Sequence, residues 1–81
     1  MRIAVRLFAR ARDLAGGPVI ELELPEGATV ADVRTALLHA RPQLQPLAAS
    51  LHVAIGSDYA ADDAAVPPGA DVACFPPVSG G

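Results

Sequence analysis

The 81 residues predict a single α+β domain in which one main helix packs on one face of a mixed four- to five-stranded sheet. Two observations predict this class: several short segments alternate apolar and polar residues with the period of a strand, and one longer segment has the apolar spacing of a helix. Apolar residues make up 52% of the chain, which is enough to build a packed core. A chain of this length has room for one core.

Two strands are predicted near the start of the chain. Residues 2–8 alternate, with isoleucine, valine and leucine on one face and Phe8 on the opposite, polar face. Residues 18–24 alternate in the same way. We expect residues 9–17 to form a loop or a short helical turn, so the two strands predict an antiparallel hairpin with a long connection.

The main helix is predicted to follow Thr29. This residue type favours the N-cap position, and Asp32 stands three residues later, where a capping box requires an acidic or amide side chain. Pro42 should end the helix near Ala40 or Arg41, because the residue before a proline disfavours helical geometry. The apolar stripe with helical spacing consists of Val30, Val33, Leu37 and Ala40.

Further alternating segments complete the predicted sheet. Residues 51–56 predict a third strand, and residues 59–66 hold at most a short, weak one. Residues 71–75 predict the last strand, directly after a Pro-Pro-Gly turn. Residues 42–49 are expected to form an irregular connection or one short helical turn.

One face of this sheet is expected to stay uncovered, because a single main helix can cover only one face. Phe8 and Phe75 are the candidates to lie on the open face, since both fall out of phase with the core residues of their strands. Two aromatic side chains on an uncovered face indicate a surface that binds a partner.

Charge and composition exclude several classes of partner. The net charge is −3, because nine acidic residues outnumber six basic ones, all of them arginines. This balance argues against the basic stripe that nucleic-acid binding requires. Arginines interrupt every apolar run near the start, which argues against a signal peptide or a membrane span. We therefore expect no nucleic-acid or membrane partner, and we expect a cytoplasmic protein.

No independent active site is visible in the sequence. Cys74 is the single cysteine and shares a face with Val72, so it is interpreted as a small core residue and not as a nucleophile. His39 and His52 lack the spacing of metal ligands and are interpreted as surface residues. We expect no metal site and no bound cofactor.

The segment FPPVSGG at residues 75–81 is the unusual feature of the sequence. Pro76 and Pro77 fix their own backbone angles and hold the chain extended, so it should leave the last strand as a stiff rod. This predicts a domain of residues 1–75 followed by an extended functional tail of residues 76–81. The competing interpretation is a frayed end.

The final glycines give the tail a chemical role. Val78 and Ser79 add reach, and Gly80 and Gly81 have no Cβ atoms, so the end could thread a channel too narrow for larger residues. The α-carboxylate of Gly81 is ionised and unreactive at neutral pH. Converted to an acyl-adenylate, it could accept sulfur and carry it as a thiocarboxylate, which is the chemistry of a group carrier.

Three motifs carry a resemblance to a known family: LFARARDLAG at residues 7–16, PPGADVA at 67–73 and FPPVSGG at 75–81. With these motifs the whole chain resembles the small, sulfur-carrying subunits of molybdopterin synthase, the MoaD family, which have a ubiquitin-like β-grasp fold. The related thiamine sulfur carriers, the ThiS group, also end in Gly-Gly but lack the Phe-Pro-Pro element. Gly56 and the bland segment 60–65 depart from the family pattern.

The resemblance implies a mechanism in which the partners supply catalysis. An E1-like adenylating enzyme (MoeB-like) would use ATP to activate Gly81, and the carboxyl would then be sulfurated. Gly81 would thus bear the thiocarboxylate, and Gly80 would be the second site residue of the pair. The tail would enter the active site of the large synthase subunit (MoaE-like) and donate sulfur to cyclic pyranopterin monophosphate. The assembly implied is a heterotetramer of two small and two large subunits. By the same resemblance, the residues that contact partners are Phe8, Tyr59, Phe75, Pro76, Pro77, Val78 and Ser79.

Two other functions stay open. The chain could carry sulfur for another pathway, such as formation of the thiamine thiazole. It could also be a protein modifier or adaptor of the ubiquitin type, in which case Gly81 would be joined to a lysine of a target protein, or never activated.

Overall fold

Five strands form one mixed sheet in the computed structural model, which describes residues 1–77. The strands are β1 (Arg2–Leu7), β2 (Val19–Glu23), β3 (His52–Ile55), β4 (Asp58–Tyr59) and β5 (Val72–Phe75). Their order across the sheet is β2-β1-β5-β3-β4. The central strand β5 is parallel to its neighbour β1, and every other neighbouring pair is antiparallel. The sheet with its packed helices confirms the predicted fold class.

The alternation in the first hairpin sets its register. Val5 lies opposite Ile20, and Ile3 lies opposite Leu22, so the apolar residues of β1 and β2 point to the same face. All four are buried, whereas the residues between them in the two strands are exposed. The predicted antiparallel hairpin is confirmed.

Its connection is more regular than expected. Helix α1 (Ala9–Ala15) occupies most of the segment predicted to be a loop or a short helical turn. Ala11 and Ala15 are buried, and Gly16 ends the helix in the left-handed conformation with φ 82°, donating its N–H to the Arg12 carbonyl. Seven residues rarely form a helix alone, so α1 depends on packing these two alanines against the core.

Helix α2 (Val30–Ala40) begins at the predicted capping box. The Thr29 hydroxyl accepts a hydrogen bond from the Asp32 N–H, and the Asp32 carboxylate accepts one from the Thr29 N–H. Val30, Val33 and Leu37 are fully buried. Ala40 was expected to complete this stripe, but it is exposed, because it is the last helical residue and lies beyond the core at the rim of a groove beside β2.

The segments after α2 are short and packed. A 3₁₀ helix (Pro42–Leu47) places Leu44 in the core. The loop after β4 then returns to the start of α2, where the carbonyls of Ala64 and Asp62 accept hydrogen bonds from the first N–H groups of the helix. This pairing explains why the weak strand stops at Tyr59: the following backbone is used to cap α2.

The three helices pack on one face of the sheet, and their buried residues form one cluster with the inward side chains of the strands. Cys74 belongs to this cluster and is 1% exposed, as the sequence indicated. Among residues 1–77, no helix combines the length and apolar character needed to cross a membrane. The opposite face of the sheet carries the candidate functional site.

Candidate functional site

The pairing of the two central strands brings Phe8 and Phe75 together on the open face. Leu7 and Cys74 are partners in the parallel β1–β5 ladder, and both point into the core. The next residue of each strand therefore points to the other face. The Phe8 and Phe75 rings are stacked, with centroids 4.8 Å apart and planes 11° apart. The predicted position of both aromatic side chains on the open face is confirmed.

Tyr59 joins this pair from the edge strand β4. Its ring meets Phe75 edge to face, with centroids 6.3 Å apart and planes at 84°, and lies 5.6 Å from the ring of His52. The tyrosine side is open: Tyr59 is 74% exposed. Phe8, Tyr59 and Phe75 form a continuous surface that we call the aromatic patch.

Two alanines form the floor beside this patch. Ala54 pairs with Tyr59 across β3–β4 and with Ala73 across β3–β5, and both alanines are buried although none of the helices in residues 1–77 covers this face. Because their methyl groups fill little space, the neighbouring large side chains close over them. A pocket of about 220 Å³ lies over Ala54 and is lined also by Tyr59 and Phe75.

A charged pair borders the patch. The Arg6 guanidinium lies 5.5 Å from the centroid of the Phe8 ring, at cation–π distance, and donates two hydrogen bonds of 2.9 Å to the Asp71 carboxylate. The bidentate contact orients the guanidinium plane. Sequence reasoning missed this pair. Arg6 could have been predicted to lie near Phe8, since it stands two residues earlier on the same face of β1. Asp71 is 65 positions from Arg6 in the chain, so the sequence holds no local signal for their pairing.

Pro76 and Pro77, which directly follow β5, lie beside the patch. An open groove of about 580 Å³ adjoins it and is lined by Phe8, Ala9, His52, Tyr59, Phe75, Pro76 and Pro77. The first tail residues thus share a wall with the aromatic side chains. Sequence reasoning did not assign Ala9 or His52 to this site, because their proximity depends on the β1–β5 and β3–β5 pairing.

The remaining predicted site residues are Val78, Ser79, Gly80 and Gly81, and they lie outside the described residues. Their roles stay predictions, as do the partner contacts of the aromatic patch. Within residues 1–77, no three His, Cys, Asp or Glu side chains are grouped to hold a metal ion.

Cys74 has the electrostatics of a structural thiol. Burial raises its pKa from the ordinary value of 9.0 to about 11, and the positive charge of Arg34 offsets this only in part. The thiol is therefore protonated and a poor nucleophile at neutral pH. His39 and His52 are exposed, as expected for surface residues.

Two curated relatives align over the full length of the chain. A protein of Arabidopsis thaliana named molybdopterin synthase sulfur carrier subunit is 36% identical over 81 residues, covering all of this chain and 84% of the relative. A protein of Chlamydomonas reinhardtii with the same name is 34% identical and is covered completely, as is this chain.

Solved structures agree with the fold. The crystal structure of SAMP1 from Haloferax volcanii superposes with a TM-score of 0.89 at 30% identity, and the match covers both chains completely. The ThiS family model matches residues 5–81. The resemblance to the MoaD and ThiS sulfur carriers is thereby confirmed, and the chain belongs to the ThiS family.

Proposed function

We propose that this chain is the sulfur carrier subunit of a molybdopterin synthase and that the carboxyl group of Gly81 carries the sulfur. The observation that carries the proposal is the aromatic patch at the root of the tail, where Phe75 is followed directly by Pro76 and Pro77 along the same groove. Docking through the patch would fix the position from which the tail starts. The names of the two curated relatives support the same role.

The chemistry proposed for Gly81 has two activation steps. Its carboxylate oxygen attacks the α-phosphorus of ATP on an E1-like partner, and pyrophosphate leaves. A donor at the oxidation level of sulfide then attacks the acyl carbon, and AMP leaves with one former carboxylate oxygen. The product is a thiocarboxylate in which one oxygen of Gly81 is replaced by sulfur, with no net oxidation or reduction at carbon.

Catalysis of sulfur transfer is assigned to the large subunit. In its active site, the thiocarboxylate sulfur would attack a carbon of cyclic pyranopterin monophosphate and displace the oxygen bound to that carbon. Water would then cleave the acyl–sulfur bond, which leaves the sulfur on the pterin and returns Gly81 to the carboxylate. The small subunit binds no cofactor in this scheme, and ATP is used by the activating partner. We also propose the assembly of two small and two large subunits, and the division into a domain of residues 1–75 and a tail of residues 76–81.

Intact-mass spectrometry tests the activation step. The protein is incubated with an E1-like activating enzyme, ATP and a sulfide donor, with a variant lacking Gly81 as the matched control. The expected result is the mass gain of one oxygen replaced by sulfur in the full chain, and none in the shortened variant. An unchanged mass in the full chain with an enzyme that activates a known carrier would contradict the proposal.

Reconstitution with a large subunit separates the two sulfur pathways. The thiocarboxylate form should convert cyclic pyranopterin monophosphate to molybdopterin, whereas the unmodified form should not. If the same form supports thiazole synthesis and leaves the pterin unchanged, then the chain carries sulfur for the thiamine pathway.

A second candidate function is protein modification, because the fold is so similar to that of SAMP1, and a second similar H. volcanii structure is that of small archaeal modifier protein 1. In that case the activated Gly81 would be joined to the amino group of a lysine on a target. Peptide mass spectrometry of cell extracts digested on the N-terminal side of aspartate decides between them, since a modifier leaves its segment 71–81 joined through Gly81 to target lysines.

A further inference from the structure

The outer edge of β2 is an unpaired sheet edge among residues 1–77. This strand is the first in the sheet order, with β1 as its hydrogen-bonded neighbour on one side. Its outward side chains are exposed, including Val19, which is 49% exposed. A free edge offers a row of backbone donors and acceptors to any extended segment that can lie beside it.

The hydrogen bonds of the hairpin identify which backbone groups are free. Leu7 donates its N–H to the Pro18 carbonyl at 2.7 Å, and Leu24 donates to the Met1 carbonyl at 2.8 Å. In an antiparallel pair such hydrogen-bonded positions alternate with positions that point away. The N–H and C=O groups of the even-numbered residues of β2 therefore point to β1. Those of Val19, Glu21 and Glu23 point outward.

A groove runs along the helix side of this edge. It separates β2 from α2 and has a volume of about 490 Å³. Most of its exposed lining is apolar and comes from Leu22, Leu24, Pro25, Ala36 and Ala40, while Asp32, Thr35 and His39 add polar groups on the α2 side. Every second side chain of an added strand would point into this groove, since side chains alternate between the two faces of a sheet.

The other face of the same edge is acidic. The Glu21 and Glu23 side chains stand two residues apart on the outer surface, and both are exposed. Arg2 forms an ion pair of 2.9 Å with Glu23 and also interacts electrostatically with Glu21, which has no ion-pair partner within 4 Å among the described residues. One arginine therefore faces two glutamates, so an added strand would place its outward side chains beside negative charge that is only partly compensated.

The charge decides between the possible occupants. If two copies of this chain paired antiparallel through β2 in the register centred on Glu21, the two Glu21 side chains would be directly opposed, which is unfavourable for like charges. A segment with basic side chains at the outward positions gains attraction at the same place. Charge complementarity thus favours a basic partner over a second copy.

We propose that the outer edge of β2 and the groove beside α2 bind an extended protein segment in which apolar and basic residues alternate. The segment adds a sixth strand to the sheet. Its apolar side chains enter the groove, and its basic side chains lie beside Glu21 and Glu23. This surface lies at the opposite end of the sheet from β4 and Tyr59, so the proposal does not depend on the sulfur carrier role.

Amide hydrogen exchange followed by NMR tests the geometry on the intact protein. The probe is an acetylated and amidated peptide of alternating lysine and valine residues, and the control peptide has glutamate in place of lysine. The lysine peptide should slow exchange at the amides of Val19, Glu21 and Glu23, which are open in the free protein. It should bind at least about tenfold more tightly than the glutamate peptide. Absence of protection at these three amides under saturating lysine peptide would overturn the proposal.

N-methylated peptides separate strand pairing from simple charge attraction. Two peptides carry methyl groups on alternate backbone nitrogens, one on the lysine nitrogens and the other on the valine nitrogens. Both keep all side chains, but only one of them loses the N–H donors that face β2. That peptide should lose binding, and the other should retain it. Equal affinity for both N-methylated peptides would show that no strand is added and would refute the proposal.

Two variants that each remove one negative charge test whether Glu21 at the β2 edge contributes to binding of the lysine peptide. Glu21→Gln should weaken binding of the lysine peptide by about two- to fivefold, the range for an exposed ion pair. Asp58→Asn removes the same charge from β4, the opposite edge strand, and should leave the affinity unchanged. An equal loss in both variants would indicate attraction to the net charge of the protein and would contradict binding at β2.

Discussion

Replacing Tyr59 by alanine should separate partner binding from folding more cleanly than any other change in the aromatic patch. Tyr59 is 74% exposed, so most of its surface is available to a partner and little contributes to the core. Its contacts within the chain are the edge of the Phe75 ring and the tilted ring of His52. The proposed docking mode predicts that a partner covers the exposed surface.

The expected magnitude follows from this exposure. Complete burial of a large apolar side chain is worth about 1.5–3 kcal/mol. Covering the exposed fraction of Tyr59 would therefore contribute about 1–2 kcal/mol to association. Its loss in Tyr59→Ala should raise the Kd by about five- to thirtyfold. The free energy of unfolding should fall by no more than about 1 kcal/mol, because only the remaining surface and one edge-to-face contact are lost.

Calorimetric titration with the large subunit of a molybdopterin synthase measures the first quantity, and urea unfolding followed by circular dichroism measures the second. Tyr59 is the single tyrosine, and the chain has no tryptophan, so amino-acid analysis should replace absorbance for the concentration of the variant. Tyr59→Phe is the matched control and should bind like the parent chain, since it keeps the ring. A folded Tyr59→Ala protein with unchanged affinity would refute the assignment of the patch as the docking surface.

Three further predictions concern the free protein. A double-mutant cycle of Phe8→Ala and Phe75→Ala should give a coupling of about 0.5–1.5 kcal/mol in the free energy of unfolding, as expected for stacked rings; additive effects would contradict direct contact. Ala9 has φ 52°, in the left-handed region where a Cβ atom is unfavourable and glycine is not. Ala9→Gly should therefore raise the free energy of unfolding by about 1 kcal/mol in urea unfolding, and destabilisation would exclude strain at this residue. Because burial raises the pKa of Cys74 to about 11, the unfolded chain loses this proton first as pH rises above 9.0. Stability should therefore fall by about 2–3 kcal/mol between pH 9 and 11, and Cys74→Ala should flatten this part of the profile measured by urea unfolding.

Local patterns in the sequence predicted the elements that depend on local physics. The alternation of β1 and β2 and the capping box at Thr29 are readable because each involves residues within a few positions of one another. Helix α1 was anticipated only as a loop or a short helical turn, because its stability depends on contacts that are not local. Its seven residues are too few to be stable alone, and their helical form depends on where Ala11 and Ala15 meet the core.

The candidate site could be predicted only in outline. Strand alternation placed Phe8 and Phe75 on the open face, but their stacking requires the parallel pairing of the first and last strands, which periodicity does not reveal. The Arg6–Asp71 pair and the position of His52 depend on the same long-range pairing. Such contacts join residues far apart in the chain, so a sequence pattern contains no local signal for them.

The composition bears on how an activated tail would behave. An acyl-adenylate at Gly81 reacts with amines as well as with sulfur nucleophiles, so a carrier is exposed to side reactions with its own surface. The chain has six arginines and no lysine. Since the guanidinium group stays protonated in proteins, arginine supplies positive charge without a reactive amine. No side chain of this protein can therefore capture an activated copy as an amide, and as a modifier the protein could not build polymers on its own lysines. Both proposed functions require an activated end that survives until its acceptor is bound, and the absence of lysine favours that survival.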